Sequence, residues 1–97
     1  MFEKLEAVEK RYEELTKEIS DPEVIANQAR WQKAMKEHAS IEEIVLKFRE
    51  YKKAKQAMEE AEELMKDPEM KELAEEEYYS SKEKVPVIEE ELKILLI

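Results

Sequence analysis

The chain has 97 residues, enough for one domain with a modest core, and carries a formal net charge of −9. It contains no glycine, which excludes glycine-rich phosphate loops, dinucleotide fingerprints and the G-x-S-x-G turn of hydrolases. It also contains no cysteine, which excludes disulfides, thiol nucleophiles and thiolate metal sites.

The first predicted helix covers residues 2–20. Apolar side chains recur there at intervals of three and four, which places six of them on one helix face: Phe2, Leu5, Val8, Tyr12, Leu15 and Ile19. Asp21-Pro22-Glu23 then offers an N-cap acceptor, a proline and a carboxylate. We expect a connecting turn at 21–26.

The second predicted helix covers residues 27–66. Its stripe comprises Trp31, Ala34, His38, Ile41, Val45, Phe48, Tyr51, Met58, Ala61 and Met65. Ser40 and Glu43 form a capping-box pattern that could break the helix, but the stripe passes this point in phase, which favours continuity. If the first helix folds back on this one, Tyr12 lies near Met35.

The third predicted helix covers residues 69–96, after a turn at 67–68 within a second Asp-Pro-Glu sequence. Its stripe repeats without interruption through Ala74, Tyr78, Ser81, Val85, Ile88, Leu92 and Leu95. Pro86 lies inside this helix and removes one backbone hydrogen bond, at a cost of roughly 3 kcal/mol. We expect a kink there.

These elements predict an all-α fold, an elongated antiparallel bundle of three main helices in a single domain, 1–97. The apolar run from Ile94 to Ile97 ends without a polar tail, so we expect a fragment of a longer protein. That run is far too short to span a membrane, and the start lacks the layout of a signal peptide. We expect a cytoplasmic protein with neither membrane nor DNA as a partner, since its net charge repels phosphate.

The sequence offers little catalytic chemistry. The single histidine, His38, lies on the apolar stripe and is interpreted as a half-buried residue whose ring edge is bonded or solvated. A carboxylate-bridged metal pair requires Glu-x-x-His on each of two helices, and the residue three before His38 is Met35. We therefore expect no catalytic residue, no cofactor and no metal.

Trp31 and the Tyr78–Tyr79 pair are interpreted as core or core-edge residues.

One basic cluster is the candidate binding site in this acidic chain. Five cations fall within nine positions, interleaved with Phe48 and Tyr51: Lys47, Arg49, Lys52, Lys53 and Lys55. Such a cluster is either a solvated helix face, which we favour, or an anchor for ribosomal RNA or an acidic protein.

Several segments, taken in order, resemble the N-terminal helical domain of the bacterial release factor 1 family. They are Asp21 to Gln28 followed by Arg30, Asp67 to Ala74, and Leu92 to Leu96, with further similarity in Met1 to Tyr12 and Phe48 to Tyr51. The resemblance covers essentially the whole chain. Pro86 departs from it, because we expect an uninterrupted glutamate-rich helix there.

Members of that family read UAA and UAG stop codons through a Pro-x-Thr tripeptide and trigger peptidyl-tRNA hydrolysis through a Gly-Gly-Gln loop. This chain has neither, since it lacks glycine and its only threonine, Thr16, precedes every proline. The resemblance therefore implies a non-catalytic domain that docks near the stalk base of the large ribosomal subunit. It also implies a glutamine methyltransferase as a partner of the parent protein. The alternative is a free-standing acidic coiled-coil adaptor.

Overall fold

The computed structural model describes residues 1–97 and contains four helices and no strand. They are α1 (Phe2–Glu18), α2 (Pro22–Ala26), α3 (Gln28–Leu64) and α4 (Lys71–Leu95). The chain divides into two compact units, Met1–Leu46 and Lys47–Ile97, and α3 contributes to both. The all-α prediction is therefore confirmed.

In the first unit, α1 runs antiparallel to the beginning of α3. The indole N–H of Trp31 donates to the Ile19 carbonyl (3.2 Å), whereas Arg11, two turns earlier in α1, contacts Glu37, further along α3. The buried apolar side chains are Leu5, Leu15, Val24, Ala34 and Val45.

In the second unit, the remainder of α3 runs antiparallel to α4. Lys47, at the start of this unit, pairs with Glu91 near the end of α4, and Ala61 lies beside Ala74 in one groove. The buried apolar side chains are Phe48, Tyr51, Ala61, Ala74, Ile88 and Leu92.

The three apolar stripes are confirmed with one exception. Their members are buried or half-buried along α1, α3 and α4, as side chains three and four apart on a packed helix face should be. Phe2, at the first residue of α1, is instead 39% exposed.

The segment 21–26, expected to be a turn, forms the short helix α2. Asp21 Oδ1 accepts the Glu23 N–H (2.9 Å) and the Asp21 carbonyl accepts the Ile25 N–H (2.9 Å), which closes one α-helical turn. Val24 is buried in the first unit and stabilises this turn by its packing. The three-helix prediction therefore omits one short helix.

The second Asp-Pro-Glu sequence has a different outcome. Asp67 Oδ1 also accepts a backbone N–H, that of Glu69 (3.0 Å), but the Asp67 carbonyl accepts from Met70 (3.0 Å). A bond spanning three residues closes a turn rather than a helix. α4 consequently begins at Lys71, two residues later than predicted.

The sequence pattern indicates a possible helix break at Ser40 and a kink at Pro86. α3 passes Ser40 without a break, and the Ser40 hydroxyl donates to the Glu37 carbonyl (2.7 Å) rather than capping a new helix. Helix α4 also continues through Pro86. The kink expected at Pro86 stays a prediction.

None of the four helices combines the length and the apolar character needed to span a lipid bilayer.

Candidate functional site

The basic cluster occupies the first part of α3 in the second unit. At 100° per residue, Arg49, Lys52 and Lys53 share one side of the helix, because they stand three and four residues apart. Arg49, Lys53 and Lys55 are exposed, and Lys52 is half-buried. We call Arg49, Lys52 and Lys53 the outward basic face.

Lys47 lies on the opposite side of α3, toward α4. Its Nζ is 2.6 Å from a Glu91 carboxylate oxygen and 3.1 Å from one of Glu50, and its side chain is 25% exposed. Hydrogen bonds to Glu91 and then to Glu50 raise the pKa of the Lys47 ammonium. The structure therefore commits Lys47 to ion pairs within the second unit.

Lys52 is positioned by the core beneath it. Its Nζ lies 4.6 Å from the centre of the Phe48 ring, and Phe48 is buried. A cation over an aromatic face is held there electrostatically while its stem covers apolar surface. Lys52 thus links the outward basic face to the buried Phe48 ring of the second unit.

His38 belongs to a packing arrangement in the first unit. Its ring stacks on Tyr12 with 4.2 Å between centroids, and its Nε2 lies 3.0 Å from Thr16 Oγ1. The Thr16 hydroxyl also donates to the Tyr12 carbonyl (2.8 Å), so the two aromatic residues and Thr16 form one contact group. The expectation of a half-buried histidine with a bonded ring edge is confirmed.

Sequence reasoning missed the bidentate pair between Arg11 and Glu37. The two bonds measure 2.6 and 2.9 Å and join α1 to α3. This hydrogen bonding raises the pKa of the Arg11 guanidinium and lowers that of the Glu37 carboxyl. No sequence signal marks the pair, because the two residues are twenty-six positions apart.

The aromatic residues divide between packing and exposure. Trp31 and Tyr78 are half-buried, as expected of core-edge residues. Tyr79 is 62% exposed, so its placement in the core was wrong. Adjacent helical positions point about 100° apart, so Tyr78 and Tyr79 cannot both face α3.

No group of three or more His, Asp or Glu side chains in residues 1–97 is arranged to hold a metal ion. The carboxylates lie mainly on exposed positions, as the stripe pattern predicts. The basic cluster is therefore the candidate binding surface that the structure describes.

Comparison with known proteins shows to which family the chain belongs. The family model described as the PCRF domain matches residues 8–97, nearly the whole helical chain. The chain belongs to the PCRF domain family. This finding confirms the resemblance carried by the two Asp-Pro-Glu segments and the α4 terminus.

Curated relatives of this PCRF domain include proteins named Peptide chain release factor 1. Those of Clostridium acetobutylicum and Caldicellulosiruptor saccharolyticus are 49% and 50% identical to it over 100 aligned positions. That of Alkaliphilus oremlandii is 46% identical over 101. All three alignments cover the whole chain, which spans 28% of the length of each relative. No solved structure matches it.

Proposed function

We propose that this PCRF domain is the N-terminal, non-catalytic part of a translation termination factor and docks on the ribosome near the stalk base of the large subunit. The observation that carries the proposal is the family match over residues 8–97, together with relatives named Peptide chain release factor 1 along the entire chain. We assign the protein to the cytoplasm, where it would meet ribosomes.

The chemistry of the chain supports a binding role. Without glycine it cannot contain Gly-Gly-Gln, and Thr16 precedes every proline, so it has no Pro-x-Thr sequence. We assign stop-codon reading and peptidyl-tRNA hydrolysis to the greater part of the polypeptide, which lies outside these residues. A methyltransferase acting on the catalytic glutamine would likewise find its target there.

For the ribosome contact we propose the outward basic face, Arg49, Lys52 and Lys53, with Lys55 beside it. RNA presents phosphates, which attract cations and release counterions when they are neutralised. Lys47 was part of the predicted patch, but its pairing with Glu91 makes it a structural support rather than a phosphate contact. The strongly negative remainder of the chain would keep RNA away from other faces.

A chimera tests the assignment to termination factors. The chain would replace the corresponding 28% of the Clostridium acetobutylicum release factor, and peptide release would be measured on ribosomes programmed with UAA. We expect release close to that of the natural factor. Loss of release in a chimera that folds normally would contradict the proposal.

Charge reversal tests the contact surface in the same chimera. Lys52→Glu with Lys53→Glu should weaken ribosome association and reduce the slope of log affinity against log salt by about two or more. The matched control, Lys33→Glu with Lys36→Glu, makes the same charge change on an exposed part of α3 in the first unit. Equal effects from both pairs would remove the outward basic face from consideration.

Light scattering on the isolated chain distinguishes a docking domain from the alternative, a free-standing acidic coiled-coil adaptor. A docking domain should be monomeric at micromolar concentration, whereas a coiled-coil adaptor should form a stable oligomer through its apolar stripes.

A further inference from the structure

The second unit contains an apolar groove beside the turn that joins α3 to α4. Its floor is formed by small side chains, Ala57 and Ala61 on α3 and Ala74 on α4. Its walls are Leu64, which is 44% exposed, and Leu73, which is 60% exposed. We call this feature the α3–α4 groove.

The volume of the groove limits what it can hold. It measures about 230 Å³. Sites for cofactors and drug-sized molecules usually occupy roughly 300–1,000 Å³, whereas a cavity of about 150 Å³ accommodates benzene. The α3–α4 groove therefore suits one large apolar side chain rather than a whole organic cofactor.

The charge around the groove selects the kind of partner. Glu60 and Glu77 form its rim. Gln56 Nε2 donates a hydrogen bond to the Glu60 carboxylate (3.0 Å). Between Glu59 and Glu77, ten residues are acidic and only Lys66 and Lys71 are basic. This concentration repels RNA and anionic lipid and attracts cationic protein segments.

We propose that the α3–α4 groove binds a basic amphipathic protein segment. The segment places one leucine-sized side chain between Leu64 and Leu73, and its lysine or arginine heads contact Glu60 and Glu77. Protein interfaces commonly combine an apolar side chain buried in a central pocket with polar or charged residues at the rim. The inference does not rest on ribosome docking, because it concerns other residues and the isolated chain can be tested.

The probe is a synthetic helical peptide rich in lysine and alanine with a single central leucine. It would be titrated into the 97-residue chain while methyl signals of Ala61 and Ala74 are followed by NMR. We expect saturable one-to-one binding with shifts at both methyl groups. Replacing the peptide's leucine by glutamine should weaken binding about tenfold, because the free energy gained by burying one leucine side chain is lost.

Variants of the chain locate the site. Leu73→Gln should also weaken binding about tenfold, while its matched control Val87→Gln, another exposed apolar residue of α4, should leave the affinity unchanged within about twofold. Glu60→Gln with Glu77→Gln should weaken binding about threefold or more and reduce its salt dependence. The matched pair Glu83→Gln with Glu90→Gln should have a smaller effect.

Three outcomes would overturn the proposal. The first is equal loss of affinity in the Leu73 and Val87 variants, which would indicate attraction without a site. The second is binding that leaves the Ala61 and Ala74 methyl signals unmoved. The third is a short mixed-sequence RNA that shifts these signals as strongly as the peptide, since the rim charges predict its exclusion.

Discussion

The two compact units attach the same long helix to its neighbours by different means. In the first unit, α1 and α3 are joined by directional polar contacts: the bidentate Arg11–Glu37 pair, the His38–Thr16 bond and the Trp31 indole on the Ile19 carbonyl. In the second unit, α3 and α4 bury larger side chains such as Phe48, Tyr51 and Leu92, and Lys47–Glu91 adds an ion pair.

This contrast separates two physical tasks. Apolar burial supplies most of the free energy of folding but is non-directional, so it leaves helix register loosely determined. Hydrogen bonds contribute less net free energy, yet they require particular partners at particular distances. We therefore infer that the first unit depends more on specific pairing for its register, and the second more on the volume of its core.

The largest expected effect comes from the core of the second unit. Phe48→Ala should lower the free energy of unfolding by about 3–5 kcal/mol, because it removes a large buried ring and leaves a cavity. Denaturant unfolding followed by circular dichroism measures the change. Leu46→Ala, at an exposed position on the same helix, is the control and should stay within about 0.5 kcal/mol. Similar values for the two would refute the dependence on core volume.

Pro86→Ala should sharpen the description of α4. The change restores the N–H that proline lacks, so we expect a gain of about 1–3 kcal/mol in unfolding free energy. Thermal unfolding would measure it, with Val87→Ala as the neighbouring exposed control. A loss of stability would contradict a net cost of proline at this position.

Trp31→Phe tests the directional contacts of the first unit. It keeps an aromatic ring but removes the indole donor to the Ile19 carbonyl, at a cost of about 0.5–1.5 kcal/mol. Denaturant unfolding by circular dichroism is suitable, because the variant lacks the chain's single tryptophan fluorophore. The exposed Tyr79→Phe serves as the control. A cost no larger than that of the control would show that this bond adds nothing to stability.

Alkaline pH should separate the ion pairs of the two units. Because the pKa of Lys47 is raised on folding, its contribution is fully present below its ordinary pKa of 10.5 and is lost as pH rises through the raised value. Arg11 keeps its charge in this range. Double-mutant cycles at pH 7 and at increasing pH above 10.5 should therefore show the Lys47–Glu91 coupling declining while the Arg11–Glu37 coupling persists.

Acidic pH gives the complementary test. The pKa of Glu37 lies below its ordinary value of 4.5, so the Arg11–Glu37 contribution is present above pH 4.5 and is lost as pH falls through the lowered pKa. A double-mutant cycle at pH 7 and at pH 2 should show a coupling that is weaker at the lower pH. A coupling that is unchanged at pH 2 would exclude the carboxylate as its source.

Particular residues show which features of the fold and of the basic cluster the sequence pattern could predict. The spacing of Leu5 and Leu15, and of Ile88 and Leu92, places these residues on buried faces because helical periodicity is a local property. The same reasoning located the basic cluster but not the direction of each cation. It could not separate Lys47 from Lys52, because that depends on where α4 packs.

The two Asp-Pro-Glu segments mark the limit of local signals. Each aspartate accepts the N–H two residues on, as the sequence indicates, yet only the first segment continues into a helical turn. The helix forms where Val24 is buried in the first unit. Tertiary packing therefore completes a helix that the local signals leave incomplete.

The sequence by itself determined the helical class, the three apolar stripes and the absence of glycine- and cysteine-dependent chemistry, because these follow from residue type and from spacing along the chain. Only the tertiary structure decided the register of the first unit, where Tyr12 stacks on His38. Periodicity repeats every turn and cannot distinguish one turn from the next. Hydrogen bonds between residues distant in sequence can, because each requires one partner at one distance.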